Sequence, residues 1–92
     1  MTLQITHRPE AGRIEATVDN SLCYIDYRQE GKVMHVLHTI VPDAVGGRGI
    51  AGELTEYAID LARKNGWKIN PVCTYTVAYF KRHPEYADMK AA

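Results

Sequence analysis

The glycine-rich turn Gly46-Gly47-Arg48-Gly49 constrains this chain more than any other stretch. It sits inside V-P-D-A-V-G-G-R-G-I-A-G-E-L-T-E-Y-A-I-D-L-A, from Val41 to Ala62. A β-type run ends at Val41-Pro42, and from about Ile50 apolar residues recur at helical spacing. Strand, glycine loop and helix in that order expose backbone N–H groups. The first amides of a helix have no partner within it and the helix dipole is positive there, so such a loop attracts phosphate. Gly-x-Gly-x-x-Gly is absent, which argues against a dinucleotide fold, and no Gly-Lys-Ser/Thr ending marks a nucleotide-hydrolase loop. Taken alone, the loop supports two readings: an anion cradle, or a glycine-rich turn that only caps a helix.

Before the turn the chain reads as an antiparallel meander. Leu3 to His7 is expected as an edge strand, ended by Arg8-Pro9 and Gly12. Arg13 to Val18 alternates, with Ile14, Ala16 and Val18 on one side, the period of a half-buried strand. Asp19-Asn20 turns the chain, Leu22 to Arg28 is a second strand, and Gln29-Glu30-Gly31-Lys32 turns it again into Val33 to Val41. After the glycines, Ile50, Leu54, Ala58 and Leu61 form one stripe, widened by Ala51 and Ala62. Asn65-Gly66 stops that helix. Trp67 to Val72 is a short strand, expected parallel to the one before the helix, and Pro71 should end its pairing. Thr74 to Arg82 is a second helix with Val77 and Phe80 inward, and Pro84-Glu85-Tyr86 makes a final turn. The sum is α+β: a meander, a βαβ unit, then a short helix, in one domain spanning 1–92.

Composition narrows the function. The formal net charge is zero, without the basic excess usual in nucleic-acid-binding domains. No apolar run approaches the roughly 20 residues of a membrane span, and Met1-Thr2-Leu3-Gln4 has no signal-peptide pattern. Cys23 and Cys73 are too few for a disulfide framework. The expectation is a cytoplasmic protein, monomer or weak dimer, with neither nucleic acid nor membrane as partner. The four histidines form no H-x-x-x-H and the cysteines no C-x-x-C, so no metal site is expected.

The loop Gly46-Gly47-Arg48-Gly49-Ile50-Ala51 resembles the pyrophosphate loop of the GNAT N-acetyltransferases, (Gln/Arg)-x-x-Gly-x-(Gly/Ala). Gly49 and Ala51 match its last fixed positions, and Gly46 stands where the family prefers Gln or Arg. The resemblance extends to a short branch of GNAT-like proteins, through E-A-T-V-D at Glu15 to Asp19, H-T-I-V-P at His38 to Pro42, G-R-G-I-A at Gly47 to Ala51, P-V-C-T-Y at Pro71 to Tyr75 and R-H-P-E-Y at Arg82 to Tyr86. It implies a GNAT-like core and acetyl-coenzyme A as cofactor. Gly46 to Ala51, with Arg48 adding charge, would hold the pyrophosphate. Thr39, Ile40 and Val41 would offer backbone hydrogen bonds to the pantetheine arm in a gap between two splayed strands. Tyr75, Lys81 and Arg82 are further candidates on the cofactor side. The branch lacks the N-terminal helices that often build the acceptor site, so the acceptor amine, small molecule or protein, stays open.

Acetyl transfer to an amine needs a base for the amine, donors for the carbonyl oxygen and a proton or stabilising setting for the departing thiolate. Cys73, just before the second helix, stands where a helix N-terminus favours the thiolate. It is a candidate acetyl acceptor or proton donor, against a role as a small buried apolar residue. His38 is the candidate base, against a histidine that fixes the strand by a hydrogen bond. His35, three residues earlier, should point to the opposite face. Tyr79 matches the place where many GNATs set a tyrosine near the coenzyme sulfur, and helical spacing puts Tyr75 one turn before it. His83 is expected to cap the last turn, and Cys23 to belong to the core. Three functions follow: an acetyl-coenzyme A-dependent N-acetyltransferase, a coenzyme A-binding module with little or no transfer, and an adaptor with a vestigial loop.

Overall fold

Alternation in the first half of the chain becomes a meander in the computed structural model, which describes residues 3–91. Strands β1 (Thr6–Arg8), β2 (Arg13–Val18), β3 (Ser21–Glu30) and β4 (Val33–Ile40) lie side by side and antiparallel. Helix α1 (Ile50–Asn65) then crosses to β5 (Lys68–Pro71), which pairs parallel with β4 at the far side of the sheet. Helix α2 (Thr74–Arg82) and a 3₁₀ turn over Pro84–Met89 complete the α+β order read from the sequence.

The turns explain the register. Asp19 and Asn20 both take positive φ, 48° and 64°, in a two-residue connection between Val18 and its partner Ser21. That geometry has the twist of the strands it joins, and Asp and Asn tolerate it better than most residues. With this register fixed, Ile14 and Ala16 face the same side as Ile25 and Cys23. Met34, Val36 and Tyr27 join them, and all seven are buried. The opposite side carries Arg13, Glu15, Tyr24 and Asp26, together with Leu22 and Ile40, which are 39% and 43% exposed.

Three expectations shift. The first strand is Thr6–Arg8 rather than Leu3 to His7; Leu3 and Ile5 pack on the core without joining the ladder. On α1 the buried stripe runs Ile50, Leu54, Thr55, Ala58, Ile59 and Ala62, so Ile59 takes the place expected of Leu61. Thr55 is tolerated inside because its hydroxyl donates to the Ala51 carbonyl at 2.8 Å. On α2 the buried residues are Thr76, Tyr79 and Phe80, while Val77 is half-buried.

The second half is tied down at both ends. The amides of Gly66 and Trp67 cap the carbonyls of Arg63 and Ala62, at 3.2 and 2.8 Å, and end α1. The outer edge of β5 is met by the segment that follows the 3₁₀ turn: Ala91 donates its amide to the Ile69 carbonyl at 2.7 Å. Covering an edge in this way removes a template for pairing with another chain. No described helix is long and apolar enough to cross a membrane.

Candidate active site at the gap between the parallel strands

Pairing between β4 and β5 starts at Val33 with Lys68 and stops at Val36 with Pro71. Pro71 has no N–H to continue a ladder. Beyond it, the amides of Val72 and Cys73 both donate to the single carbonyl of Val36, at 3.1 and 2.9 Å, and the chain swings into α2. Strand β4 runs on to Ile40 along β3 alone, so a gap opens beside it.

A bulge in β4 fixes what faces that gap. Tyr27 lies opposite Val36 but its neighbour Asp26 lies opposite His38, which leaves Leu37 as an extra residue. The Tyr27 amide donates to the Gly12 carbonyl on the β2 side at 2.8 Å, so Tyr27 turns away from β4. By alternation along β3, Ile25 also turns away and Tyr24 turns toward β4. Thr39, opposite Ile25, therefore points its own N–H and C=O into the gap, whereas the backbone of Ile40, opposite Tyr24, faces β3. Val41 lies just past the ladder with its side chain against the core. Of the three residues read from the sequence, Ile40 is paired with β3, Thr39 faces the gap, and Val41, just past the ladder, has no backbone partner among the described residues.

The same bulge overturns the expected separation of the two histidines. His35 pairs with Arg28 and His38 with Asp26, two residues apart on β3. One extra residue shifts the period, and both histidines leave β4 on the same, open face. His35 is held there, with Nε2 3.1 Å from Glu30 and Nδ1 3.0 Å from the Asn70 amide nitrogen. His38 is exposed, and among the described residues no side chain is hydrogen-bonded to it. It does not fix the strand. Thr39, on the helix-bearing side, faces Cys73 instead, so His38 and Cys73 approach the gap from opposite faces of β4.

At the near end of the gap is the glycine loop. Gly47 and Gly49 adopt φ of 78° and 76°, and Gly49 immediately precedes α1. Among the described residues no group accepts a hydrogen bond from the consecutive amides of Gly47, Arg48, Gly49, Ile50, Ala51 and Gly52, and no side chain caps the helix. A Cβ built on Gly47 or Gly49 would meet nothing within 4 Å, so the space above the loop is free. Gly46 stands outside this set, its amide donating to the Asp43 carbonyl at 3.1 Å. Arg48 reaches back to Asp19 in the β2–β3 turn, at 2.6 Å, and ties the loop to the sheet. A row of amides without described acceptors at the positive end of a sixteen-residue helix has the polarity that favours an anion.

Helix α2 brings its residues to the same place. A Cβ on Gly52 would lie 3.6 Å from the Tyr75 hydroxyl and 3.9 Å from the Tyr79 ring, so α2 packs on the first turn of α1. The Arg82 guanidinium lies 5.8 Å from the centre of the Tyr75 ring. Tyr79 is 4% exposed and stacks on His83 at 4.2 Å. Burial pushes its hydroxyl up to about 12, with Glu56 adding to the effect, so it keeps its proton through the neutral range. His83 precedes the 3₁₀ turn as expected, its carbonyl accepting from Tyr86 at 3.0 Å.

Cys73 caps α2 and is half-buried, with Sγ 3.5 Å from the Thr39 hydroxyl oxygen. Burial alone would raise its thiol; the Thr39 hydroxyl, the amides of Thr76 and Tyr75 and the Thr76 hydroxyl outweigh it, and the thiol is lowered. Thr76 is 1% exposed, and among the described residues its Oγ1 makes no hydrogen bond of normal geometry, although it is near enough to the Cys73 sulfur to favour the thiolate. Thr76 and the Thr39 side chain were not singled out in the sequence; the spacing Cys73-x-x-Thr76, which sets a hydroxyl over the first turn, is the signal that carries them. Cys23 is fully buried and burial raises its thiol. Iodoacetamide is therefore expected to label Cys73 and spare Cys23, with a rate that rises through a pH below that of a free thiol, because only the thiolate reacts. Peptide mapping across a pH series checks this.

A family model of GCN5-related N-acetyl-transferases matches residues 13–89. Protein NATD1 of Gallus gallus is 39% identical over 59 residues, 63% of this chain and 54% of that protein. Protein NATD1 of Xenopus tropicalis is 33% identical over 72 residues, 78% of this chain and 65% of that one. The match thus spans little more than half the length of the first of these relatives. A GCN5-like protein from Staphylococcus aureus, solved by NMR, superposes with a TM-score of 0.79 at 26% identity, over 98% of this chain and 89% of its own. A ribosomal-protein-alanine N-acetyltransferase from Brucella melitensis shares the fold, with a TM-score of 0.50 at 21% identity, over 87% of this chain and 63% of its own.

Proposed function

This chain belongs to the GCN5-related N-acetyltransferases, and from that premise we propose that it binds acetyl-coenzyme A and transfers the acetyl group to an amine. The observation that carries the reading is the row of unpartnered amides from Gly47 to Gly52 under free space. Those donors suit a pyrophosphate, whose oxygens are strong acceptors. The Tyr75 hydroxyl and the Arg82 cation flank them on the α2 side. Thr39, with free backbone groups in the gap, anchors the pantetheine arm and donates to a carbonyl oxygen as charge builds on it. Acetyl-coenzyme A, when bound, supplies a thioester whose acetyl group is the one transferred.

The remaining roles divide by face. His38, to which no described side chain is hydrogen-bonded, stands on the open side of β4 and takes the amine's proton. On the helix side, Cys73 either accepts the acetyl group or steadies the departing thiolate, and the Tyr79 hydroxyl holds a proton to give it.

A second reading is a module that binds coenzyme A and transfers little. It is favoured by His38 itself, since among the described residues no second group orients that ring, and a general base is usually held by a third group. Calorimetric titration with coenzyme A comes first; absence of heat leaves an adaptor with a vestigial loop. Intact mass after incubation with acetyl-coenzyme A comes next. One added acetyl on the wild type, missing from Cys73→Ala, assigns the covalent role. Heat without an adduct, and without turnover on a panel of amines, selects the binding module.

A further inference from the structure

We infer that Cys73 is a modification site for coenzyme A itself: its thiolate exchanges with the disulfide form of coenzyme A and leaves one coenzyme A joined to the protein through a mixed disulfide. The inference rests on the coenzyme A reading above and adds to it a covalent state of the same site. Two observations carry it. Cys73 sits at the mouth of the gap, 3.5 Å from the hydroxyl of the residue whose backbone faces that gap, Thr39. The Thr76 hydroxyl is buried, has no hydrogen-bond partner of normal geometry among the described residues, and is near enough to the same sulfur to favour its thiolate. A buried hydroxyl without a partner is costly unless something arrives to accept from it, and an anionic sulfur is such an acceptor.

The chemistry balances without an outside oxidant. The Cys73 thiolate attacks one sulfur of the coenzyme A disulfide, a new S–S bond forms as the old one breaks, and the second coenzyme A leaves as a thiolate that takes up a proton from water. One disulfide is consumed and one is made. Because the retained coenzyme A keeps its phosphates in the amide cradle, its sulfur is delivered to Cys73 repeatedly, and the exchange gains from the high effective concentration of a tethered reactant. Cys23 shares none of this, being fully buried with its thiol raised. A protein in the mixed-disulfide state has its gap filled by product and accepts no acetyl-coenzyme A until a thiol reduces it.

The test uses the full chain and coenzyme A disulfide, with no reductant present. Intact mass is expected to show one adduct of coenzyme A less two hydrogens, mapped to Cys73, reversed by dithiothreitol and absent from Cys73→Ala. Gly49→Val, which disturbs the cradle and leaves the thiol, should form the adduct about tenfold more slowly or worse, while its reaction with a small disulfide lacking phosphates stays at the wild-type rate. Thr76→Val should move the midpoint of the pH–rate profile upward, since a donor to the thiolate is gone. A wild type that binds coenzyme A by calorimetry yet forms no adduct overturns this inference and leaves the coenzyme A reading intact. Equal rates for Gly49→Val and wild type also overturn it, reducing the reaction to that of any exposed thiol. A wild type with no coenzyme A heat overturns both.

Discussion

Gly49→Val is expected to lose coenzyme A while the chain remains folded. Gly49 takes φ of 76°, a conformation that costs an ordinary L-residue about 1–2 kcal/mol and a β-branched one more. No atom lies within 4 Å of where the new Cβ would stand, so the substitution meets no packing obstacle. The loop is expected to escape the strain by flipping Gly49 to negative φ, which rotates the amides on either side of its Cα, those of residue 49 itself and of Ile50, out of the row. Since these donors act together on one ligand, displacing them should weaken coenzyme A binding by at least about tenfold, the equivalent of 1.4 kcal/mol. Calorimetry measures the affinity, and far-ultraviolet circular dichroism with a urea midpoint measures the fold. Unfolding in step with lost binding would assign the glycine to stability first.

Gly12→Ala should be the most damaging single methyl in the protein. Gly12 has φ of 62°, and a Cβ there would lie 2.3 Å from the Tyr27 carbonyl oxygen, a backbone atom with no freedom to rotate aside. The contact is tight because Gly12 and Tyr27 are also joined through the Tyr27 amide, which donates to the Gly12 carbonyl at 2.8 Å. Strain in φ of roughly 1–2 kcal/mol adds to overpacking of roughly 1–3 kcal/mol. For a domain of this size, about 3 kcal/mol lowers the melting temperature by roughly 12 °C or more. Gly31→Ala is the control: its φ of 59° is nearly the same, but nothing lies within 4 Å of its Cβ position. The difference between the two variants in a denaturant series isolates the steric part. Equal losses would show that φ alone sets the cost.

Much of this molecule can be read from residue order. The glycine loop is legible because its pattern has a local cause, a sharp turn before a helix, and the β2–β3 turn because Asp19-Asn20 suits positive φ in neighbouring positions. Both helices are legible from their period, and the parallel strand from what precedes it. The bulge at Leu37 is not, since V-M-H-V-L-H-T-I-V alternates plausibly with or without an extra residue; only the length of β3 opposite decides. That one residue moved His38 to the side of His35 and gave Thr39, not Ile40, the free amide. Thr76 was hidden for a different reason. Its burial comes with α2 packing against β4 and β5, a contact between segments that periodicity within any one of them does not reveal.

Strand β4 also shows what its extra residue withholds from the sheet. Along its β3 border the ladder resumes after Leu37 as though nothing had happened. Along the other border, outward-facing groups at Val36 and Thr39 are three positions apart instead of two, and a regular neighbour cannot meet both. The seam therefore cannot be zipped by lengthening β5; it would need a matching irregularity in β5, where Pro71 stands instead. A sheet selected only for robustness would heal that tear and gain hydrogen bonds. Here the opening is maintained by mismatch rather than by a wedge of side chains, so it persists whether or not anything fills it.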